Sequence, residues 1–381
     1  MSEFSNDPSQ VFSAPRILVM GVGSSGARAV AGMAQLNPGI DAVAVDTEMK
    51  TLESLAINRV INVGATVTRG MSAGGDVELG RQSVEKDSTS IRKLLRNVDL
   101  LVIVAGLGGG TGSGAVPVIT RIASSINIYV LAMVAMPFAF EGKKIALAAE
   151  DALKRIRTHA DAIIRVPNER LVDRADVDLP VAQAYARSHQ VMMDGIFSLW
   201  RLLAKTGVCG LDFACIQTML RHCDGFCHFA NADGSGNERA EIVAEGILKH
   251  RLLNKGKLLE GARGIIIGMT GGQDLKLSEI ETVMERIQTK LPEDIWLNFG
   301  VAVDAAFEGR LSVIVLAAEQ WSEPLVDPAN GELRRKTIAG QGELALETVG
   351  KGKFTYADPT IHNNQDLDVP TFQRRNIKLP R

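Results

Sequence analysis

Short apolar runs alternate with amphipathic stretches through the first half of the chain. Arg16-Ile17-Leu18-Val19-Met20 is apolar and partly β-branched, and Gly21-Val22-Gly23 closes it, a pattern that predicts a buried strand entering a glycine turn. A helix is predicted over about 26–36, stopped by Asn37-Pro38-Gly39, and further buried strands over 41–45, 99–105 and 128–135. Continuous apolar strands separated by helices predict a parallel sheet covered on both faces, hence a doubly wound α/β domain over 16–180 after a flexible N-terminus, 1–15. A long helical pattern assigned to 181–208 then leads into a smaller α+β domain, 209–320, with helices in 240–253 and 278–291 and strands over 264–269, 295–303 and 311–317. From Trp321 the pattern decays. Residues 321–365 carry Pro, Gly and charges with few large apolar side chains, as a solvated linker does. The segment 366–381 restores apolar anchors, Leu367, Val369, Pro370 and Phe372, to a polar tail, the pattern of a partner-docking peptide.

Composition narrows the class. With 46% apolar and 23% charged residues and a formal net charge of -2, the chain reads as a globular protein with no basic field to attract nucleic acid or an anionic membrane. Four cysteines, Cys209, Cys215, Cys223 and Cys227, crowd into one stretch and form no disulfide framework, which suits a reducing cytoplasm. Met1 to Ala14 lacks the basic start and apolar run of a signal peptide, and no apolar run approaches the ~20 residues of a membrane span. The expectation is a cytoplasmic protein that neither spans a membrane nor binds nucleic acid.

The chemistry is carried by glycines. Gly108-Gly109-Gly110-Thr111-Gly112-Ser113-Gly114 follows the apolar strand 99–105 and precedes a helix opening near Ala115-Val116-Pro117. In a doubly wound sheet, ligands sit beyond the carboxyl ends of the strands, where helix N-termini face a crevice. Glycines let the backbone curl around an anion, and Thr111 and Ser113 add hydroxyls. Five glycines among seven residues exceed what a simple turn needs, so the run is read as a phosphate site. Gly21-Val22-Gly23-Ser24-Ser25-Gly26 has the GxGxxG form, with Asp46 ending the second strand, as in a dinucleotide-binding unit. That makes an NAD-dependent enzyme a rival, against which the second, richer glycine loop counts. No Gly-Lys-Ser/Thr completes a Walker P-loop.

Taken together, these residues resemble the tubulin/FtsZ family. The resemblance runs from Arg16 to Ala317 through Gly21–Gly26, Val45-Asp46-Thr47, residues 70–81, Gly108–Gly114, Pro137-Phe138-Ala139-Phe140-Glu141-Gly142-Lys143-Lys144 and Pro167-Asn168, and it returns in the tail, Leu367–Arg375. It implies a tubulin/FtsZ fold: a doubly wound nucleotide-binding domain, a central helix, a smaller α+β domain and a disordered tail. It also implies GTP with Mg²⁺, and head-to-tail filaments whose active site is completed between subunits at the division site. By resemblance, Gly21, Gly23, Ser24, Ser25 and Asp46 belong to the nucleotide-facing loops, and Gly108 to Ser113 grip the phosphates. Ala73-Gly74-Gly75 caps the terminal phosphate, Glu141 meets the ribose, Asn168 meets the guanine edge, and Tyr185 stacks on the base.

Several positions depart from the family pattern. Arg28 and Gln190 stand where the family places Asn and Asp beside the base, which puts guanine selectivity in question. Ile145 replaces an arginine near the ribose, and Asp76-Val77 replaces Asn-Pro, adding negative charge beside a phosphate site. In the loop that should meet the next subunit's nucleotide, Gly210-Leu211-Asp212-Phe213-Ala214-Cys215 retains one catalytic acid, Asp212. Gly210 and Cys215 replace an amide and a second carboxylate. Losing an acid that polarises the attacking water implies slow hydrolysis. Two readings follow: a division filament with a slowed GTPase, and a noncatalytic relative that copolymerises with or regulates another FtsZ. The tail implies a membrane-tether or division-regulator protein as partner. Finally, His222-Cys223-Asp224-Gly225-Phe226-Cys227-His228 contains zinc-type ligands, but their spacing is odd for a zinc site and buried, inert thiols account for it.

Overall fold

The computed structural model describes residues 15–172, 178, 180–204, 207–209, 211–223 and 225–322, together with two two-residue strands, Ile361–His362 and Gln365–Asp366. Gly210, the segment Leu367–Arg375 expected to dock a partner, and nearly all of the expected linker lie outside them.

Six strands form the first half: β1 (Ile17–Val22), β2 (Asp41–Asp46), β3 (Val60–Asn62), β4 (Leu100–Gly106), β5 (Tyr129–Met136) and β6 (Ala162–Pro167). All pair in parallel, in the order β3-β2-β1-β4-β5-β6, with Val22 level with Ala105 and Gly106 with Ala135, so their carboxyl ends open along one edge. The helices between them are α1 (Gly23–Leu36), α2 (Met49–Glu53), α3 (Ala65–Thr68), α4 (Val77–Lys86), α5 (Ser88–Leu94), α6 (Gly110–Ser125) and α7 (Lys143–Arg157), and α8 (Asn168–Leu171) follows β6. Because successive side chains of a strand point to opposite faces, the unbroken apolar runs feed two cores. Leu18, Met20, Leu101 and Ile103 enter the core shared with α6 and α7; Val19, Val102 and Val104 enter the one shared with α9 (Val181–Ala204).

Beyond α9 come β7 (Gly207–Cys209), α10 (Phe213–His222), β8 (Gly225–Ser235), α11 (Arg239–Leu248), β9 (Gly264–Gly271), α12 (Leu277–Gln288), β10 (Trp296–Val303) and β11 (Arg310–Ala318). The two halves expected from the sequence share one sheet of eleven strands, because β6 pairs in parallel with β8. The α9-side core also continues into Phe229, Ile266, Ile314 and Leu316. Arg201 of α9 adds a polar tie. It is buried, donates from Nη2 to Ser312 Oγ at 2.9 Å, and lies between the rings of Phe197 and Phe307, 5.0 and 4.1 Å from their centroids.

Candidate nucleotide-binding crevice

The carboxyl ends of β1 and β4 deliver the two glycine loops side by side. Helix α1 begins at Gly23, inside the GxGxxG run rather than after it, and α6 begins at Gly110. Neither start has a side-chain cap or an acidic residue in its first turn, so the first backbone N–H groups of both helices are open to an anion. The two starts nearly touch: a Cβ on Gly23 (φ +72°) would lie 3.1 Å from the Gly112 nitrogen. Two helix N-termini of that kind converging on one spot make a site for phosphate.

Around them lies a cavity of about 660 Å³, lined from the glycine loops, from Ser72 and Gly75, from Glu141 and Asn168, and from Tyr185, Ser188 and His189 of α9. Gly23, Ser24, Ser25, Arg28, Gly109, Gly110, Thr111 and Gly112 all line it. Other residues named from the sequence stand behind the surface. Gly21 packs so tightly that a Cβ would meet Gly26 O at 2.4 Å, and Gly108 (φ +104°) takes a left-handed turn against Ile145. Ser113 is buried and accepts the Gly108 N–H at 2.8 Å, so its hydroxyl closes the loop from within. Buried Asp46 likewise braces the site, accepting from Ser24 Oγ at 2.9 Å and from the Thr47 N–H at 2.7 Å. Thr47 Oγ1 in turn lies 2.9 Å from Thr111 Oγ1. Of the loop 73–75, Gly75 lines the cavity, and Ala73 packs beneath it against the start of α6. The extra negative charge expected at Asp76 is spent locally, since its carboxylate caps α4 by accepting from Glu78 N and Leu79 N at 2.9 and 3.2 Å.

At the far end, Tyr185 stands edge-on to Phe138, with ring centroids 5.4 Å apart. Burial, then the hydrogen bond and charge of Glu141, push its phenol up to about 12. Glu141 Oε1 also accepts the Phe138 N–H at 2.9 Å. Asn168 Oδ1 and Ser188 Oγ are buried without a hydrogen-bond partner, in residues only 4% and 2% exposed. Unpaired polar atoms of this kind at a cavity wall call for a ligand or water to satisfy them.

One expectation is corrected. Gln190 does not reach the crevice; its amide donates to Asp194 Oδ1 at 2.7 Å, and its side chain lines a different cavity with Leu171 and His250. At 3.6 residues per turn, the positions three and four after Tyr185 share its face and the fifth does not. His189 therefore lines the crevice beside Tyr185, with Nε2 3.0 Å from Ser25 Oγ. Burial and the nearby Arg28 guanidinium push it below the ordinary histidine range, so it is neutral at pH 7. Helical spacing from Tyr185 was the signal that identifies Ser188 and His189. Nothing in the local sequence marks Ser72.

At the opposite end of α9, Asp212 precedes α10 and Cys215 lies in that helix's first turn, next to Asn298 of β10. Among the described residues, those of the Cys-His stretch are not part of any group of three metal-ligand side chains. His222 stacks on Trp321 with centroids 4.8 Å apart, and the Cys223 and Cys227 sulfurs lie 3.3 Å apart in the core.

A parallel sheet with paired glycine loops, continued by a long helix into a second, mixed half, defines a tubulin-like protein. Residues 16–176 match the family model "Tubulin/FtsZ family, GTPase domain", and residues 225–320 match "FtsZ family, C-terminal domain". The chain belongs to the FtsZ family. It is 32% identical over 359 residues to the cell division protein FtsZ of Pseudomonas aeruginosa, covering 94% of this chain and 88% of that one. With the FtsZ of Buchnera aphidicola the identity is 29% over 375 residues, covering 95% and 97%. A solved FtsZ dimer of M. jannaschii superposes with a TM-score of 0.74 at 26% identity, covering 80% and 88%.

Proposed function

We propose that this chain binds GTP in the crevice and polymerises head to tail as a division filament, turning GTP over slowly. The observation that carries the nucleotide reading is the meeting of the uncapped N-termini of α1 and α6 at the glycine loops. On this reading the N–H groups of Gly109 to Gly112 hold the phosphates, Glu141 meets the ribose, and Tyr185 and Asn168 meet the base. Mg²⁺, which keeps several waters and takes phosphate oxygens as ligands, would be brought in with the phosphates of GTP.

Slow turnover rests on the loop before α10. Asp212 would meet the nucleotide of the next subunit, while Cys215, whose thiol burial pushes up, supplies no charge. The same loop also suits the second reading, a noncatalytic copolymer partner. Light scattering with GTP and GDP, alongside phosphate release, separates the two. A filament with a slowed site assembles with GTP alone, and Cys215→Asp raises phosphate release at least tenfold. A chain that never assembles by itself is the copolymer partner, and fast turnover in the unmodified chain removes the slow-site reading.

A further inference from the structure

The side of the crevice formed by α1, α8 and α9 presents an unusual set of groups to a nucleobase. Arg28 is an exposed cation there, His189 is neutral and shares Nε2 with Ser25, and Asn168 Oδ1 and Ser188 Oγ are buried and unpaired. Among the described lining residues the one carboxylate is Glu141, already held by Phe138 N–H and Tyr185. Guanine differs from hypoxanthine by its 2-amino group, a pair of N–H donors beside the ring N1–H. A site discriminates strongly for such a group when its absence strands a buried acceptor, above all a charged one. A carboxylate facing N1–H and the 2-amino group would be such an acceptor.

Among the described residues that line the crevice, none is a free acceptor of that kind. The Ser188 hydroxyl can rotate from accepting to donating, an imidazole can exchange its donor and acceptor nitrogens, and the Asn168 carbonyl is satisfied by one donor, which N1–H of either base supplies. We propose that this crevice accepts a 6-oxopurine nucleotide without reading its 2-amino group, with His189 as the residue that sets this tolerance. The inference rests on the nucleotide reading above and adds the substrate range.

The test is calorimetric titration of the full chain with GDP and with IDP, which differ in the 2-amino group alone and avoid turnover. The expected dissociation constants lie within about fivefold, the worth of one uncharged hydrogen bond. His189→Asp, which places a carboxylate on the same face of α9, is expected to tighten GDP relative to IDP at least tenfold. A wild-type preference for GDP of tenfold or more overturns the proposal, as does a folded His189→Asp chain that still treats the two alike. If that variant fails to fold, the wild-type pair decides alone. Binding of neither nucleotide removes the nucleotide reading itself, a result distinct from either.

Discussion

Asp212 Oδ1 accepts the backbone N–H of Cys215 at 2.9 Å, so the acid proposed to serve the next subunit's nucleotide is also the N-cap of α10. That hydrogen bond is the first cause holding the Asp212 carboxyl below its ordinary range, which keeps it charged at neutral pH. Its two roles separate by substitution. Asp212→Asn retains a capping acceptor and is expected to leave the unfolding midpoint nearly unchanged while lowering phosphate release in assembled filaments. Asp212→Ala loses both, with about 1 kcal/mol of stability gone. Equal turnover in wild type and Asp212→Asn would remove Asp212 from catalysis.

Asn298 donates Nδ2 to Cys215 Sγ at 2.9 Å. A carboxylate at 215 would accept the same N–H as a stronger, charge-assisted bond. Cys215→Asp is therefore expected to fold as the wild type does, within about 1 kcal/mol by chemical denaturation. A gain of turnover in that variant then reports chemistry rather than repacking. A large loss of stability would show that Asn298 cannot serve the new carboxylate.

Close approach of backbone to backbone fixes the crevice floor. A Cβ on Gly26 would lie 2.0 Å from Val104 O and 2.9 Å from Val104 C, so α1 can lie against β4 only because residue 26 has no side chain. Gly26→Ala should push the helix off the strand and cost about 3 kcal/mol, the upper end of the overpacking range. Urea unfolding is the measurement: the midpoint drops at unchanged slope. A variant as stable as wild type would mean that α1 shifts freely, and the two helix N-termini would then lose their fixed separation.

Much of this arrangement was legible in the sequence because local pattern and global fold agree there. The runs around Ile17–Met20 and Leu100–Ala105 are apolar at every position, which only a strand buried on both faces requires, and the glycine loops follow directly. Other parts needed the three-dimensional structure. That β8 joins both halves into one sheet is a pairing of Ile163 with Phe226, and nothing local encodes a contact of that sequence separation. Gln190 was placed at the base by position in a family pattern, whereas the turn angle of α9 brings His189 to the crevice instead. Ser113 and Asp46 carry ligand-type chemistry but spend it on neighbouring loops, a distinction that burial decides and residue type does not.

In the second half, a buried cation organises the contact of α11 with α12. The Arg239 side chain, 4% exposed, donates from Nε to Glu279 Oε1 at 2.6 Å and from Nη1 to Asp274 Oδ2 at 2.7 Å. Glu279 also accepts from Nη2 at 2.8 Å. Arg239→Ala leaves Glu279, itself largely buried, without its cationic partner and with only the Lys276 N–H at 2.9 Å to accept, and a loss of about 3 kcal/mol is expected. Adding Glu279→Gln to that variant should restore part of it, since the stranded charge is removed. If the double variant is no more stable than the single one, the loss comes from packing of the guanidinium and not from the unpaired carboxylate.

His250 gives the fold a dependence on pH that can be isolated. Burial, with a smaller contribution from the adjacent Arg251 charge, pushes its imidazole down to about 4 from an ordinary 6.5. In the unfolded chain the ring takes up a proton as pH falls through 6.5, whereas in the folded chain it stays neutral until about 4. Between those values the unfolded state binds more protons, so stability drops as pH falls, at up to about 1.4 kcal/mol per pH unit. From pH 7.5 to pH 5 this one group should remove about 2 kcal/mol. His189 and His228 are displaced in the same direction, and Asp194, raised by burial, acts in the opposite sense on stability, so the single-residue effect must be read as a difference. His250→Gln keeps an acceptor for the Leu252 N–H, which Nδ1 takes at 3.3 Å in the wild type, but cannot titrate. Urea unfolding of both chains at the two pH values should therefore show wild type losing about 2 kcal/mol more than the variant on acidification. Equal losses in the two would mean that His250 is protonated as readily in the fold as outside it, and that the burial around its ring admits water.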